Sequence, residues 1–508
     1  MRYVDLVAGT AAHGGDRVAV VGSGRRMTFS ELDDRVARLG QALGERGLRP
    51  GDRVALLATN EPEYIEIQAA CLRAGFTLVP LNTRLAEREL RFILTDCKPA
   101  ALIAGRAEQA RSGELARTLG IRDVLGLGEA AEVPAYEAVL AGAGSASAVR
   151  NAAQTTDPDL ISLILYTSGT TGSPKGAMID RQAFSHRVLV NCAELQVGPA
   201  DVHLACLPMF HIAAFLAYAH TLAGGTVVML PEFEPARVLA ALAHEQVTTT
   251  VLVPTMISML LDSPALHDFD LPSLRLIVYG GSTISPSLLR QALKEFGCGM
   301  HQQYGMTESG VQTILRPADH DPADTEGLSS AGTEAVSFEV RVVDAEDRPV
   351  GPGEIGEVVC CGPSVMSGYW NRPDATADTL RGGWLHTGDL GYRDGRGRLH
   401  ITDRRNDMIV TGGENVYPRE VEEVLLEHPE VTDVAVIGTP DDRWGQVVTA
   451  VLKESAKESA PADAELQAWA RERLAGYKVP RRWVRLPQLP RNATGKVLKH
   501  ELRAMLGS

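Results

Sequence analysis

The sequence has few cysteines, and none are spaced as CxxC. The seven lie at positions 71, 97, 192, 206, 298, 360 and 361. This pattern excludes a disulfide framework or a zinc site with clustered thiolates, and it suits reduced thiols in a cytoplasmic protein. Positive charge is also in deficit. Fifty Lys and Arg against 64 Asp and Glu leave a net charge of −14, which argues against nucleic acid as the main partner. No basic stretch leads into an apolar core at the N-terminus, so no signal peptide is expected. The most apolar window, 212–230, is interrupted by His220 and a Gly-Gly pair. It reads as a buried helix, a turn and a strand rather than an integral membrane segment. Internal repeats and low-complexity tails are absent.

A chain of 508 residues exceeds what one core supports, so two or more domains are expected. From residue 52 onward, strand-like and helix-like stretches alternate. "DRVALLATN" (52–60) is a strand, "EPEYIEIQAACLRAG" (61–75) a helix stopped by Gly75, "FTLVPLN" (76–82) a strand, "ERELRFILTDC" a helix, and 99–105 a strand. The rhythm returns at 226–230, 236–246, 248–254 and 274–282. It predicts an α/β fold with parallel sheet and covering helices. Residues 141–158, small and polar, read as a linker between two α/β subdomains.

Near residue 334 short strands and Gly/Pro turns suggest a β-rich subdomain. After about residue 404 a compact α+β pattern follows. It has helices at 418–428, with Pro in the first turn, and 464–476, and a strand in "VTDVAVIGTP". Residues 471–508 carry ten Lys and Arg against Glu472 and Glu501. Such a segment is either a solvated basic face or a surface for a polyanionic small molecule.

The stretch "YTSGTTGSPKG" (166–176) looks at first like a phosphate-binding P-loop. The P-loop rule needs Ser or Thr after its Lys to hold Mg²⁺, whereas Gly176 follows Lys175. The physics still suits an anion. A Gly/Ser/Thr run after an apolar strand leaves N–H groups and hydroxyls free to converge, and Lys175 adds charge.

This loop closely resembles the signature of the adenylate-forming enzymes of the acyl-CoA synthetase type. Further matches follow in order: "PMFH" (208–211), "YGGS" (279–282), "QQYGMTE" (302–308), "WLHTGD" (384–389), "DRRNDMIVTGGENVYPREVE" (403–422) and "LPRNATGK" (489–496). The resemblance covers nearly the whole chain. It implies an N-terminal domain over 1–403, a small mobile C-terminal domain over 404–508, and a hinge at Asn406, where many relatives have Lys or Asp. It also implies ATP, Mg²⁺ and coenzyme A as cofactors and a small carboxylic acid as substrate.

Residue by residue, the resemblance assigns Thr167, Ser168, Gly169, Thr170, Thr171 and Lys175 to the β- and γ-phosphates. Gly281, Ser282 and Gln302 fall beside the adenine, Tyr304 stacks on it, Thr307 meets the α-phosphate and Glu308 holds Mg²⁺. Asp389 and Arg404 reach the ribose, and Lys496 is the mobile catalytic lysine. His211 borders the reacting carboxylate as pocket wall and orienting group, not as general base. Gly412, Gly413 and Glu414 line the pantetheine tunnel with Lys478 nearby. Trp444 is either part of this region or packing.

Gln303 precedes Tyr304 where many relatives have Gly and malonate-type relatives have Arg. A neutral side chain there disfavours a dicarboxylate, because an unpaired buried charge is costly. Its bulk, with Ile212, Phe215, Val311 and Ile314 as apolar neighbours, points to a short-to-medium fatty acid or an aryl or cyclic acid. An acid–CoA ligase is the leading expectation. A stand-alone enzyme loading a carrier protein and a non-catalytic nucleotide-binding protein are the alternatives, and a homodimer is left open.

Overall fold

The computed structural model describes residues 4–128, 133–144, 157, 159–167, 174–282, 284–404, 407–411, 414–441, 444–454, 461–492 and 495–506, with backbone alone at 403–404, 414–415 and 445. The fold is mixed α/β, as expected, and is built on four sheets.

One sheet has seven strands in the order Gly368–Tyr369, Lys175–Asp180, Ile161–Thr167, Thr77–Leu81, Arg53–Leu57, Ala101–Ala104, Asp123–Gly126. Its centre is parallel, and every residue of Thr77–Leu81 is buried, as a sheet covered on both faces requires. The helix read from 61–75 forms as Glu63–Ala74 and ends where Gly75 takes φ 84°, a left-handed turn that glycine adopts without Cβ strain.

A second sheet has nine strands. It runs Thr333–Glu334, Gly310–Leu315, Gly299–Met306, Leu276–Gly280, Thr249–Leu252, Val202–Ala205, Thr226–Met229, Val18–Gly22, Arg25–Thr28. The N-terminal hairpin is thus an edge of the later sheet, with Val20 opposite Val227. Thr28 then caps the helix Phe29–Glu45 through a reciprocal bond with Glu31, worth about 1 kcal/mol. The window 212–230 forms the helix Ala214–Ala223, a Gly224 turn and the strand Thr226–Met229. Among the described residues no helix is long and apolar enough to cross a membrane.

The linker reading of 141–158 needs correction. Most of that stretch lies outside the described residues, but the strand after it, Ile161–Thr167, pairs with Thr77–Leu81. The chain therefore returns to the first sheet instead of entering a new subdomain. The composition break marks a crossover within one sheet.

The β-rich part forms as Glu339–Val343, Gly356–Cys361, Trp384–Arg393 and Leu380–Arg381, with Leu399–Arg404 on Trp384–Arg393. The last sheet runs Glu414–Val416, Ile409–Thr411, Gly445–Lys453, Val434–Asp441, with Arg482–Leu486 parallel to Gly445–Lys453. The helices Pro418–Leu426 and Asp463–Arg471 cover it. The second stops five residues before Gly476 as irregular turns take over.

Both large sheets direct the carboxyl ends of their parallel strands into one crevice, the usual place for ligands in open α/β sheets. Pro80–Asn82, Leu207, Pro208, Phe210–Ile212, Val251–Val253 and Val278–Gly281 all line it.

Candidate active site

The crevice is a cleft of about 930 Å³. Thr167 and Lys175 stand opposite each other on adjacent antiparallel strands and both line the cleft. Ser168, Gly169, Thr170 and Thr171 lie outside the described residues. The Lys175 ammonium sits 5.3 Å from the centroid of the Tyr369 ring, a favourable cation–π distance. The Tyr369 hydroxyl donates to Glu308 Oε1 at 2.8 Å. One buried tyrosine therefore touches both the signature-loop lysine and the candidate metal ligand, which are far apart in sequence.

Thr307 and Glu308 occupy a tight turn between the strands Gly299–Met306 and Gly310–Leu315. Gly305 is required there, since a Cβ would stand 1.9 Å from the Gly310 carbonyl oxygen. The turn is held from behind by Arg187 on the helix Arg181–Leu195. Its guanidinium donates to the carbonyls of Ser364 at 2.9 Å, Thr307 at 2.9 Å and Glu308 at 3.2 Å. Burial weighs against the Arg187 charge, while the Glu308 and Asp180 carboxylates favour it. The helix itself starts on an Asp180 cap that accepts from the Ala183 N–H at 2.7 Å.

Tyr304 lines the cleft, and its hydroxyl donates to Asp389 Oδ2 at 2.7 Å. Burial first, then the Asp389 carboxylate, raises the Tyr304 phenol well above its ordinary range, so it stays a donor. Asp389 in turn faces Arg404 across the strand pair Trp384–Arg393 and Leu399–Arg404. Gly281 lines the cleft with φ 79°. Ser282 and Gln302 do not contribute to its wall, although the Gln302 Oε1 is buried without a donor among the described residues.

The other end of the cleft is mostly apolar. Ile212, Phe215, Leu216, Val190 and Val311 line it together with His211 and Gln303. Ile314, expected among them, is 1% exposed in the core beside Ala331 and Phe338 and does not line the cleft. Ile314 lies opposite Gln303 and Val311 opposite Gly305, beyond a register shift at Tyr304/Gly305; both pack in one core cluster, and Val311 also reaches the cleft. Burial, aided by the nearby Arg84 cation, pulls the His211 imidazole down to about 4. It is neutral at physiological pH.

Lys496 reaches the same cleft from the C-terminal segment, with Arg491, Asn492 and Leu498 beside it. Its loop is closed locally. The Asn492 N–H donates to the Lys496 carbonyl at 2.8 Å, and the Lys496 N–H donates to Asn492 Oδ1 at 2.9 Å. Arg491 anchors the loop on Asp433 with bonds of 2.7 and 2.8 Å.

A cleft that takes Lys175 of the signature loop, the Tyr304–Asp389 pair and Lys496 from the far end of the chain has the order and content of one family. The sequence family described as AMP-binding enzyme matches residues 7–370, and its C-terminal domain matches 420–496. This chain belongs to the AMP-binding enzymes. It is 40% identical to a feruloyl-CoA synthase of Amycolatopsis, covering 96% of each chain. It is 35% identical to a medium/long-chain-fatty-acid–CoA ligase of Mycobacterium tuberculosis, covering 98% of this chain and 89% of that one. Among solved structures, the amide bond synthetase McbA from Marinactinospora thermotolerans superposes with a TM-score of 0.90 at 33% identity, covering 99% of each chain.

Within this AMP-binding enzyme some expected residues stand apart from the cleft. Lys478 is engaged by Glu420, with Nζ 2.6 and 2.7 Å from its two oxygens, and is not in the cleft wall. Asn406, Gly412 and Gly413 lie outside the described residues. Glu414 is described by its backbone, opposite Thr411. The Trp444 indole packs under the Arg481 guanidinium, 4.2 Å from ring centroid to Cζ, which favours the packing reading. Sequence reasoning missed Tyr369, Arg187 and Asn191. Tyr369 ends the two-residue strand Gly368–Tyr369 in the string "SGY", which has no chemical signature of its own, and an arginine amid apolar helix positions was the one available signal for Arg187.

Proposed function

We propose that the chain is an AMP-forming acyl-CoA synthetase acting on a monocarboxylic acid, with an aryl, cyclic or short-to-medium fatty acyl group. In the first half-reaction a carboxylate oxygen attacks the α-phosphorus of ATP. The bond from that phosphorus to the bridging oxygen breaks and pyrophosphate leaves. In the second, the CoA sulfur attacks the acyl carbon, AMP leaves and the thiol proton is released. The observation that carries this reading is the convergence of Lys175, Glu308, Tyr304 and Lys496 on one cleft. The strongly charged transition state needs such fixed cations and donors.

Each group then takes a role. Lys175 and the loop before it neutralise the β- and γ-phosphates. Glu308, with one oxygen held by Tyr369, offers the hard carboxylate donor that suits Mg²⁺. That ion, when bound, supplies charge neutralisation for the departing pyrophosphate. Thr307 donates to the α-phosphate, Asp389 accepts from the ribose hydroxyls, and Tyr304 presents its ring to adenine. Lys496 bridges the attacking carboxylate and the α-phosphate. Neutral His211 walls the carboxylate end without taking a proton.

The C-terminal part, 404–508, then turns about a hinge at Asn406, withdrawing Lys496 and bringing Gly412, Gly413 and Glu414 towards CoA. Lys478 leaves Glu420 to meet a CoA phosphate. The apolar wall around Phe215 and Val311 supports an uncharged acyl group, since a buried charge without a partner is costly. The deciding experiment is a panel of acids scored by pyrophosphate release with ATP, Mg²⁺ and CoA. Acid-dependent release with consumption of CoA supports the reading. Release that leaves CoA untouched would move the acceptor to a carrier protein, and no release with any acid would remove the ligase reading.

A further inference from the structure

We infer that the cleft selects an acid carrying a hydrogen-bond donor, a hydroxyl or N–H, distal to its carboxylate, and that Gln303 Oε1 receives that donor. The inference rests on the proposed reading of the cleft as an acid-activating site and names the substrate class within it.

The orientation of the Gln303 amide follows from one fixed point. The main-chain carbonyl of Arg187 can only accept, and Asn191, one helical turn on, places a side-chain amide atom 2.8 Å from it. That atom must be the nitrogen. Asn191 Oδ1 then points the other way and lies 3.0 Å from the Gln303 side chain. An amide oxygen cannot donate, so the Gln303 atom facing it must be Nε2. The backbone of one helix thus dictates, through two amides, which end of Gln303 remains. Asn191 is 2% exposed, so this relay is sheltered from solvent.

Gln303 Oε1 makes no hydrogen bond among the described residues and is not one of the fully buried orphan oxygens. It is the polar atom that Gln303 offers to the cleft it lines. Alternation along the strand Gly299–Met306 separates it from the nucleotide side: Tyr304 turns to Asp389 while Gln303 turns to the helix carrying Asn191. Val190, Phe215 and Val311 share that end of the wall. An acyl group that strips water from a lone acceptor and returns no hydrogen bond loses affinity, whereas one bearing a donor does not. A second carboxylate would meet the Gln303 oxygen and be repelled. The neighbouring Arg187 guanidinium gives three of its N–H groups to the carbonyls of Ser364, Thr307 and Glu308.

The test compares matched acids: the 3-(hydroxyphenyl)propanoates (meta and para), their methyl ethers, 3-phenylpropanoate and the carboxyphenyl analogues. The readout is kcat/KM for acid-dependent pyrophosphate release by the full chain. At least one hydroxy acid should exceed both its methyl ether and the unsubstituted acid by about tenfold or more, and the carboxyphenyl acids should be poorest. In Gln303→Leu the hydroxy-to-ether ratio should fall to near one, and in Asn191→Leu, which frees the Gln303 amide to turn over, it should fall part of the way. Equal rates for hydroxy acids and ethers in the wild-type enzyme, or a preference for the dicarboxylate, would overturn the inference without recourse to any variant. So would an unchanged ratio in Gln303→Leu. If no acid in this or a broader panel releases pyrophosphate, the ligase reading itself falls. If the unsubstituted acid is used as well as the hydroxy acids, only the inference falls.

Discussion

The Tyr304 hydroxyl and Asp389 Oδ2 are joined by a 2.7 Å hydrogen bond between two different sheets. The bond ties the strand that presents Tyr304 to the strand whose partner carries Arg404, across sheets that also share a hydrophobic cluster. Tyr304→Phe keeps the ring but removes the donor. The KM for ATP should rise about tenfold, the value of one hydrogen bond to a charged acceptor, with a smaller change in kcat. An unchanged KM would show that Asp389 is positioned without the tyrosine.

Arg187 is a buried cation serving three carbonyls. Arg187→Met leaves those acceptors unpaired and takes a charge from beside Glu308, so it should cost on the order of 3 kcal/mol or more in stability, read by urea denaturation. Arg187→Lys keeps the charge but cannot reproduce the forked donors. It should retain more of the stability while raising the Mg²⁺ concentration needed for half-maximal pyrophosphate release. A lysine variant with wild-type Mg²⁺ dependence would detach Arg187 from the metal site.

Lys496 enters the cleft on a loop closed by its own backbone bonds with Asn492. Lys496→Ala should lower adenylation by about a hundredfold or more, as loss of a charge-stabilising donor does. Thioester formation from pre-made acyl-adenylate should be largely intact. Equal loss in both half-reactions would refute the assigned role.

Acid should destabilise the fold in a defined window. Burial holds His211 and His220 down to about 4 and His301 to about 3, with His203 and His320 also lowered. Between those values and about 6.5 the unfolded chain binds protons that the folded chain refuses, so stability rises with pH there. Glu66 runs the other way. Burial, opposed by Arg35, lifts it to about 7, and its folded form holds a proton that the unfolded one releases above about 4.5. Burial raises Glu61 as well, but five imidazoles outweigh two carboxyls, so the melting temperature should fall steadily from pH 7 to pH 5. A flat profile would contradict the burial of these histidines. The neutral His211 also predicts that pH–rate profiles of the wild type and His211→Gln share one shape between pH 6 and 8.

Much of this was legible in the sequence because it is local. The helix at 61–75 and its Gly75 stop follow from spacing and one permissive residue, and the motifs named Tyr304, Glu308 and Lys496, which line one cleft. What stayed hidden is non-local. The Tyr369–Glu308 bond spans 61 positions, Gln303–Asn191 spans 112 and Arg187–Glu308 spans 121. No periodicity reports such pairings, which exist only once the sheets have stacked. The linker error has the same root: loss of apolar residues near 141–158 signals a break between elements, but not which strand the chain rejoins. Ile314 and Val311 are equally apolar and share one core cluster, and nothing in the sequence says that Val311 alone also reaches the cleft.

The N-terminal hairpin at the edge of the nine-stranded sheet has a consequence for how the molecule is made. Val20 and Val21 pair with Val227 and Val228, residues that leave the ribosome only after some two hundred further codons have been translated. Until then the first strand has no neighbour on that side, and on the other only its own hairpin mate, Arg25–Thr28. The seven-stranded sheet can assemble meanwhile from nearer segments, but it too waits on Gly368–Tyr369 for its last strand. Long-range closures of this kind slow folding and leave strand edges open to wrong partners during synthesis. The nascent chain is therefore most exposed to aggregation, and most dependent on chaperones, before residue 230 emerges.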